Sequence, residues 1–468
     1  MLNSRLQASL YALFALSMTS ALVPMMPLRA QAAAAASSAS AASPAGAQSC
    51  PSAIPADARC FSGKDAAGAY YWIVMPAVWN NRLVVHAHGG PELGAPDAKR
   101  TADDVTRWAI WPRLGFALVA SSYHQGGVAV KSAAGDVLES RARFVAQFGE
   151  PQRTLLHGQS WGAGVAARTA ELFNPRGAND KRPFDGVLLT SGVLGGATWS
   201  YDFRMDLRVV YQAVCGNHPR ADEAPYPLWM GLPAGATLTR AELADRVDAC
   251  TGVRKAAADR TPAQAEKLAR ILGAVHIPER TLIAHLNWGT WHFQDIVQKR
   301  TAGANPFVTE GVRYPGSIDG APLDARVARY RADAAAVATL AADADPTGQI
   351  EVPVVTMHAI DDPTAFVELE HTFHHTMRTA GHADGLLQLF TTDAEHSYLT
   401  DAAYVSALGA LEQWLDSGTR PTAAVVSARC AEAARSRGMD LICRFVPDYQ
   451  VKPLSTRVPS RTKPAVRK

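Results

Sequence analysis

An α/β fold, with a mainly parallel sheet flanked by helices and an inserted helical cap, is what this sequence predicts. Three observations carry the expectation. From about residue 70, short apolar runs alternate with amphipathic stretches, the pattern of strand–helix–strand units. Between Trp199 and Gln349 that rhythm stops and helical spacing takes over. From Val352 it resumes, so both ends of the interruption return to the same kind of sheet order.

Tyr70 to Met75 and Leu83 to His86 read as strands, the second running into His88-Gly89-Gly90-Pro91. A helical stretch through Asp104, Trp108 and Trp111 precedes the strand Phe116 to Ser121. Val137 to Phe148 reads as helix, Arg153 to His157 as strand, Ala163 to Phe173 as helix and Val187 to Thr190 as strand. In the cap, helical spacing covers Pro262 to Leu272, Arg280 to Lys299 and Leu323 to Ala342. The remaining elements are the strand Val352 to His358, the helix Ala365 to Thr379, the strand Leu386 to Thr391 and the helix Asp401 to Leu415.

Around this core the chain divides as follows. Residues 1–32 read as an export signal: Arg5, an apolar run from Leu6 to Leu28, and small-residue cleavage sites such as Ala30-Gln31-Ala32. The run is broken by Ser9, Ser17, Pro24 and Pro27, which makes it a poor permanent span, and an uncleaved anchor is the rival reading. Residues 33–49 are an Ala/Ser linker, 50–198 the first part of the core, 199–349 the cap, 350–420 the second part of the core, and 421–468 a basic, Cys-containing tail. The expected location is therefore secreted or periplasmic, with no stable membrane span after signal cleavage. Of 468 residues 48% are hydrophobic, enough for a large core. A net charge of +3 gives no case for nucleic acid, and the cations Lys452, Arg457, Arg461, Lys463, Arg467 and Lys468 read as a solvated, frayed end. Six cysteines form close pairs, Cys50 with Cys60, Cys215 with Cys250 and Cys430 with Cys443, which suit disulfides in an oxidising compartment. None has the spacing of a zinc site, and His371 with His375 lacks a carboxylate that would complete a metal motif, so no metal or other cofactor is expected.

Gly158-Gln159-Ser160-Trp161-Gly162 is a GxSxG string between an expected strand and an expected helix. A sharp turn there leaves no room for a Cβ at the glycines and lifts the Ser160 hydroxyl clear of the sheet. A serine hydroxyl needs a base, and His396 follows the last strand in Asp393-Ala394-Glu395-His396-Ser397. The base needs an acid; Asp361 and Asp362 both follow the strand Val352 to His358. Asp362 is favoured because Pro363 restrains it toward extended backbone. An oxyanion needs N–H donors, each worth about 3 kcal/mol of barrier. Trp161 supplies one, and Gly90, with Gly89 as the alternative, the other; Pro91 has no N–H. Tyr123 leaves another strand end and is a candidate for contacting substrate, and the cap tryptophans Trp199, Trp229, Trp288 and Trp291 for lining a pocket.

In the order Ser160, Asp362, His396 these motifs resemble the α/β-hydrolase superfamily across about residues 70–200 and 350–416. His358 to Asp362 matches the family string His-Gly-x-x-Asp, with Ala359 in the glycine's place. The HGGP run with the Ser-Trp-Gly elbow is similar to proline iminopeptidases, and the stretch from His88 through Trp108, Phe116 and Tyr123 to prolyl-oligopeptidase-type catalytic domains. Against a peptidase stand Glu92, where iminopeptidases have another glycine, and the lack of a propeller-length segment before the catalytic part. The resemblance implies a serine hydrolase acting on a small-molecule or polymeric ester. An exopeptidase or amidase using the same residues is the alternative, and a non-catalytic binding module the third reading.

Overall fold

The computed structural model describes residues 46–175, 181–397, 399–437 and 442–464, all within one compact unit. The expected export signal, and the linker up to residue 45, lie outside the described residues. Gly46–Gln48, the end of the stretch read as linker, forms a short strand, β1. β1, β2 (Arg59–Lys64) and β3 (Tyr70–Met75) run antiparallel to their neighbours. Next in sequence come β4 (Arg82–Ala87), β5 (Ala117–Ser121), β6 (Arg153–Gln159) and β7 (Gly186–Thr190). β8 (Ser317–Ile318) and β9 (Ala321–Pro322) make a separate small hairpin in the cap. β10 (Val354–Ala359) and β11 (Leu386–Thr391) complete the main sheet, whose order is β1-β2-β3-β5-β4-β6-β7-β10-β11. Every pair from β5 to β11 is parallel, so all these strands end on one rim, where ligands collect in open α/β sheets.

The central strands are buried on both faces, and their alternation sorts the core into two layers. Leu83, Val85 and Ala87 of β4 join the layer under α3 (Val130–Phe148) and α4 (Trp161–Phe173). Val84, one residue out of phase, joins Trp108 and Trp111 from around α1 (Ala98–Arg107) and α2 (Ile110–Arg113). The cap begins with α5 (Gly196–Ser200) and α6 (Asp202–Cys215), followed by α7 (Arg240–Thr251) and α8 (Pro262–Val275). α8 starts at a Thr261–Gln264 capping box with Pro262 in its first turn. α9 (Leu282–Asn287) and α10 (Phe293–Asp295) are joined and followed by π-helical turns, so helical chain runs on to Arg300. Leu207, Leu286 and Phe293 of the cap belong to the same core layer as β4.

Leu323 to Ala342, expected as one helix, is instead a single 3-10 turn at Leu323–Ala325 and, after a break, α11 (Ala334–Ala344), where Asp333 accepts from the Ala336 N–H. Before it the chain is drawn into extended pairing, Thr309 N–H donating to Tyr330 O at 2.9 Å. α12 (Glu368–Thr379) lies between the last two strands, and α13 (Asp401–Ser417) packs beside β7 and β10.

The tail departs most from expectation. α14 (Ala423–Arg437) packs on α13, and the segment after it rejoins the sheet: Phe445 bridges Thr391, and Val446 N–H donates to Phe390 O at 2.8 Å. Of the six cations expected in solvent, Lys452 is exposed, Arg467 and Lys468 lie outside the described residues, and the other three are paired instead. Arg457 meets Glu368 at 2.9 Å, Arg461 meets Asp206 at 2.5 Å, and Lys463 meets Asp202 at 2.7 Å. The acids are on α6 and α12, invisible to any local pattern in the tail. All three expected disulfides are present, Cys50–Cys60, Cys215–Cys250 and Cys430–Cys443. Among the described residues no helix is long and apolar enough to cross a membrane.

Candidate active site

Ser160 sits between β6 and α4 with φ 58° and ψ −125°, a conformation rare for a residue with a side chain. The glycines make it possible. A Cβ on Gly162 would run into the carbonyls of Ala87 and His88, and one on Gly158 would lie 2.7 Å from the Ala166 Cβ. The turn is pinned by Ser160 N–H donating to Thr190 O at 2.9 Å and Val193 N–H donating to Ser160 O at 3.0 Å.

His396 reaches over this turn from the loop after β11, its Nε2 2.7 Å from Ser160 Oγ. Its Nδ1 lies 2.8 Å and 3.0 Å from the two oxygens of Asp362. Of the adjacent acids, Asp361 is exposed and Asp362 buried. Asp362 Oδ1 also accepts the N–H groups of Thr364 at 2.8 Å and Ala365 at 2.9 Å. Burial pushes the Asp362 carboxyl up, but His396 and His358 beside it more than offset this and hold it well below the usual carboxylate range.

Beneath Asp362 lies a group that motif reading used only as a spacing mark. His358, fully buried, has Nε2 3.4 Å from Asp362 and Nδ1 3.1 Å from Glu370. Burial alone pushes its pKa down; hydrogen bonds and charge from Asp362 and Glu370 outweigh that and raise it to about 10. The acid thus stands between two imidazoles, one of them a buried cation.

The HGGP loop follows β4. Gly90, with φ +78°, and Pro91 line the cavity at Ser160 and Trp161, whereas Gly89 is packed so that a Cβ would lie 2.6 Å from Gln159 Oε1. Among the described residues neither the Gly90 nor the Trp161 N–H donates to a backbone acceptor in a turn or loop. Arg100 clamps the loop, with Nε 2.8 Å from His88 Nδ1 and Nη1 2.9 Å from Glu92. Tyr123 is not brought into the cavity. It stacks on the His88 ring at 4.9 Å and its hydroxyl donates to His88 O at 3.0 Å, so it supports the loop from behind.

The cavity has a volume of about 30 Å³, room for one or two waters. The cap closes it with Tyr201, Arg204, Trp288 and His292, and Val193 and Thr364 complete the wall. Of the cap tryptophans, Trp288 lines this space, while Trp199 lines a separate cavity of about 570 Å³ between α12 and the tail. Tyr201, Arg204 and His292 carry no motif, and only the folding of the cap over the rim could reveal them.

No protein-family model matches the chain, and no curated protein matches it in sequence. Solved structures similar to it include feruloyl esterase B from Aspergillus oryzae, at 13% identity and TM-score 0.40 over 78% of this chain and 82% of that one. Candida antarctica lipase A is similar at 13% identity and TM-score 0.40, over 81% of this chain and 85% of that one. Tannin acyl hydrolase from Aspergillus niger is similar at 11% and TM-score 0.43, over 81% and 83%. At these scores the likeness assigns no role to any residue. From its own sheet order, its Ser160 turn between β6 and α4, and its inserted helical cap, the chain has the α/β-hydrolase fold.

Proposed function

We propose that this protein is an exported serine hydrolase that cleaves carboxylic esters through an acyl-enzyme. The observation that carries the reading is the continuous chain from Ser160 Oγ to His396 Nε2 at 2.7 Å and from His396 Nδ1 to Asp362 at 2.8 Å, at the mouth of a cavity. Ser160 attacks the ester carbonyl while His396 Nε2 takes its proton, and Asp362 holds the imidazole in the tautomer with Nε2 free to accept. The oxyanion forms against the Gly90 and Trp161 N–H groups at the cavity wall. His396 then protonates the leaving alcohol, and water, deprotonated by the same imidazole, releases the acyl group.

An exopeptidase acting on a free amine would need a carboxylate in the cavity. Its wall contains none among the described residues, and Glu92 is spent on Arg100 at 2.9 Å. This favours the ester reading.

Two measurements test the proposal. A fluorophosphonate should label the purified protein at Ser160 and not the Ser160→Ala variant. Turnover of p-nitrophenyl esters should exceed that of aminoacyl anilides and be lost in Ser160→Ala. Preferred cleavage of anilides transfers the assignment to the amidase reading, and an unlabelled Ser160 removes both.

A further inference from the structure

Among the described residues, Arg204 is the one charged side chain in the wall of the Ser160 cavity. It projects from the first turn of α6, and the residue is only 4% exposed. Its guanidinium carbon lies 4.4 Å from the ring centre of Phe203, 4.4 Å from that of Trp288 and 5.1 Å from that of Tyr201. Among the described residues its hydrogen bond is from Nη1 to Ser200 O at 3.0 Å; Nε is buried with no acceptor, and no carboxylate comes within ion-pair distance.

The neighbouring charges do not explain it. Asp202 and Asp206 on the same helix are turned to the tail, where Lys463 and Arg461 hold them. Arg208, one turn on, is also buried, but it donates to Thr290 Oγ1 at 3.0 Å and Gly231 O at 3.1 Å, away from the cavity. Asp295, near His292 in sequence, accepts the Val128 N–H at 2.8 Å and pairs with Arg300 at 3.2 Å and Lys299 at 3.3 Å.

Burying a guanidinium with no carboxylate partner is costly, and stacking on aromatic faces returns only part of that cost. A leucine would fill the space at lower cost. Burial pushes the Arg204 pKa down to about 10, against a smaller opposing effect of Tyr201, which leaves the group charged at neutral pH. The rest of the cap wall is of one character. Burial lifts the Tyr201 hydroxyl to about 12, so it stays a donor, and burial with the Arg204 charge lowers His292 to about 3, so it is neutral with one N–H to give. Arg204, Tyr201 and His292 thus line a space beside the nucleophile whose wall, among the described residues, holds no carboxylate.

We infer that the Arg204 box binds a carboxylate of the substrate, which makes the preferred substrates esters carrying a carboxylate a few bonds from the scissile carbonyl. This rests on the serine hydrolase assignment above and narrows it to a substrate class. At about 30 Å³ the cavity takes a group the size of a carboxylate beside Ser160, so the rest of the ester lies outside it and the two groups stand close together. The carboxylate can belong to the acyl half or to the leaving alcohol, and the two cases are separable.

The test compares matched pairs by kcat/KM. Monoethyl succinate against ethyl pentanoate probes the acyl side; acetoxyacetate against its neutral isostere isobutyl acetate probes the leaving-group side. The expected result is at least about a tenfold preference for the anionic member in one pair. Arg204→Met should reverse that preference and Arg204→Lys keep part of it. Should the variants fold poorly, the wild-type ratio and protection of Ser160 from fluorophosphonate by succinate, but not by butane-1,4-diol, decide the matter. Labelled Ser160 with no anionic preference in either pair overturns the Arg204 inference alone. Absence of labelling overturns the underlying hydrolase assignment.

Discussion

At the residue scale the proposed chemistry depends on how Ser160, His396 and Asp362 are held in register, and each can be removed separately. Asp362→Asn should lower kcat by about 10⁴-fold because the wrong imidazole tautomer then faces Ser160. The exposed neighbour Asp361→Asn should change it by no more than about twofold, and steady-state ester hydrolysis distinguishes the two. His358 adds a pH signature. Its pKa in the fold is about 10 against 6.5 for an unperturbed imidazole, so the folded chain binds that proton more tightly than the unfolded chain. The stabilisation is therefore complete below pH 6.5 and lost as pH rises through about 10. His358→Gln should lose about 3–5 kcal/mol at pH 6.5, since it leaves two buried carboxylates without their shared cation. Between pH 6.5 and 10 the variant's melting temperature should fall less steeply than the wild type's. Parallel melting curves across that window would contradict the assignment.

Elements position these residues, and two act beyond their own length. The elbow between β6 and α4 touches the end of β4: Gly162 packs against the carbonyls of Ala87 and His88. Gly162→Ala must therefore push the HGGP loop away from Ser160, at a cost of about 1–3 kcal/mol in stability and on the order of 10²-fold in kcat/KM. Loss of both together, in melting and kinetics, is the expected result; unchanged kinetics in a folded variant would separate the loop from the reaction. The histidine loop after β11 is held from two sides. Arg444 of the tail lies 3.0 Å from the buried Asp393, and Arg280 of the cap donates to Ala394 O at 2.6 Å. Cys430–Cys443 anchors the segment carrying Arg444, and closing a loop of this size stabilises by roughly 3 kcal/mol. Arg444→Ala should lower kcat while leaving fluorophosphonate labelling slow but detectable, the mark of a displaced base rather than a missing nucleophile.

Over the whole molecule, sheet, cap and tail share their interior. Cap residues Leu207, Leu286 and Phe293 lie in the same core layer as the sheet, and the tail clamps α6 through Arg461 and Lys463. A cap built this way is not a free lid. Arg461→Ala strips a buried acid of its partner and should cost about 3–5 kcal/mol, visible as a melting temperature lower by several degrees. Because α6 also carries Arg204, the same variant should alter substrate preference before it abolishes turnover of neutral esters. A variant as stable as wild type would show that the tail merely rests on the cap.

That Ser160, Asp362 and His396 meet in space was legible in the sequence because each follows a strand whose end is marked by local pattern, and their order along the chain is that of the fold. So were the parallel sheet, the interruption by a helical cap and the three close cysteine pairs. What stayed hidden arose from contacts between distant segments. His358 is a buried cation only because Glu370 and Asp362 converge on it, Tyr123 supports a loop only because that loop folds over its ring, and the tail cations Arg457 and Arg461 are paired only because α12 and α6 present acids to them. Arg204 sits in a helix with nothing in its sequence to distinguish it from Arg208, and the fold alone turns one into the cavity and the other away. Local sequence determines strand ends, turns and the chemistry they display, since those depend on backbone sterics and spacing. Burial, charge pairing and the walls of the cavity depend on which surfaces meet, and the tertiary structure decides that.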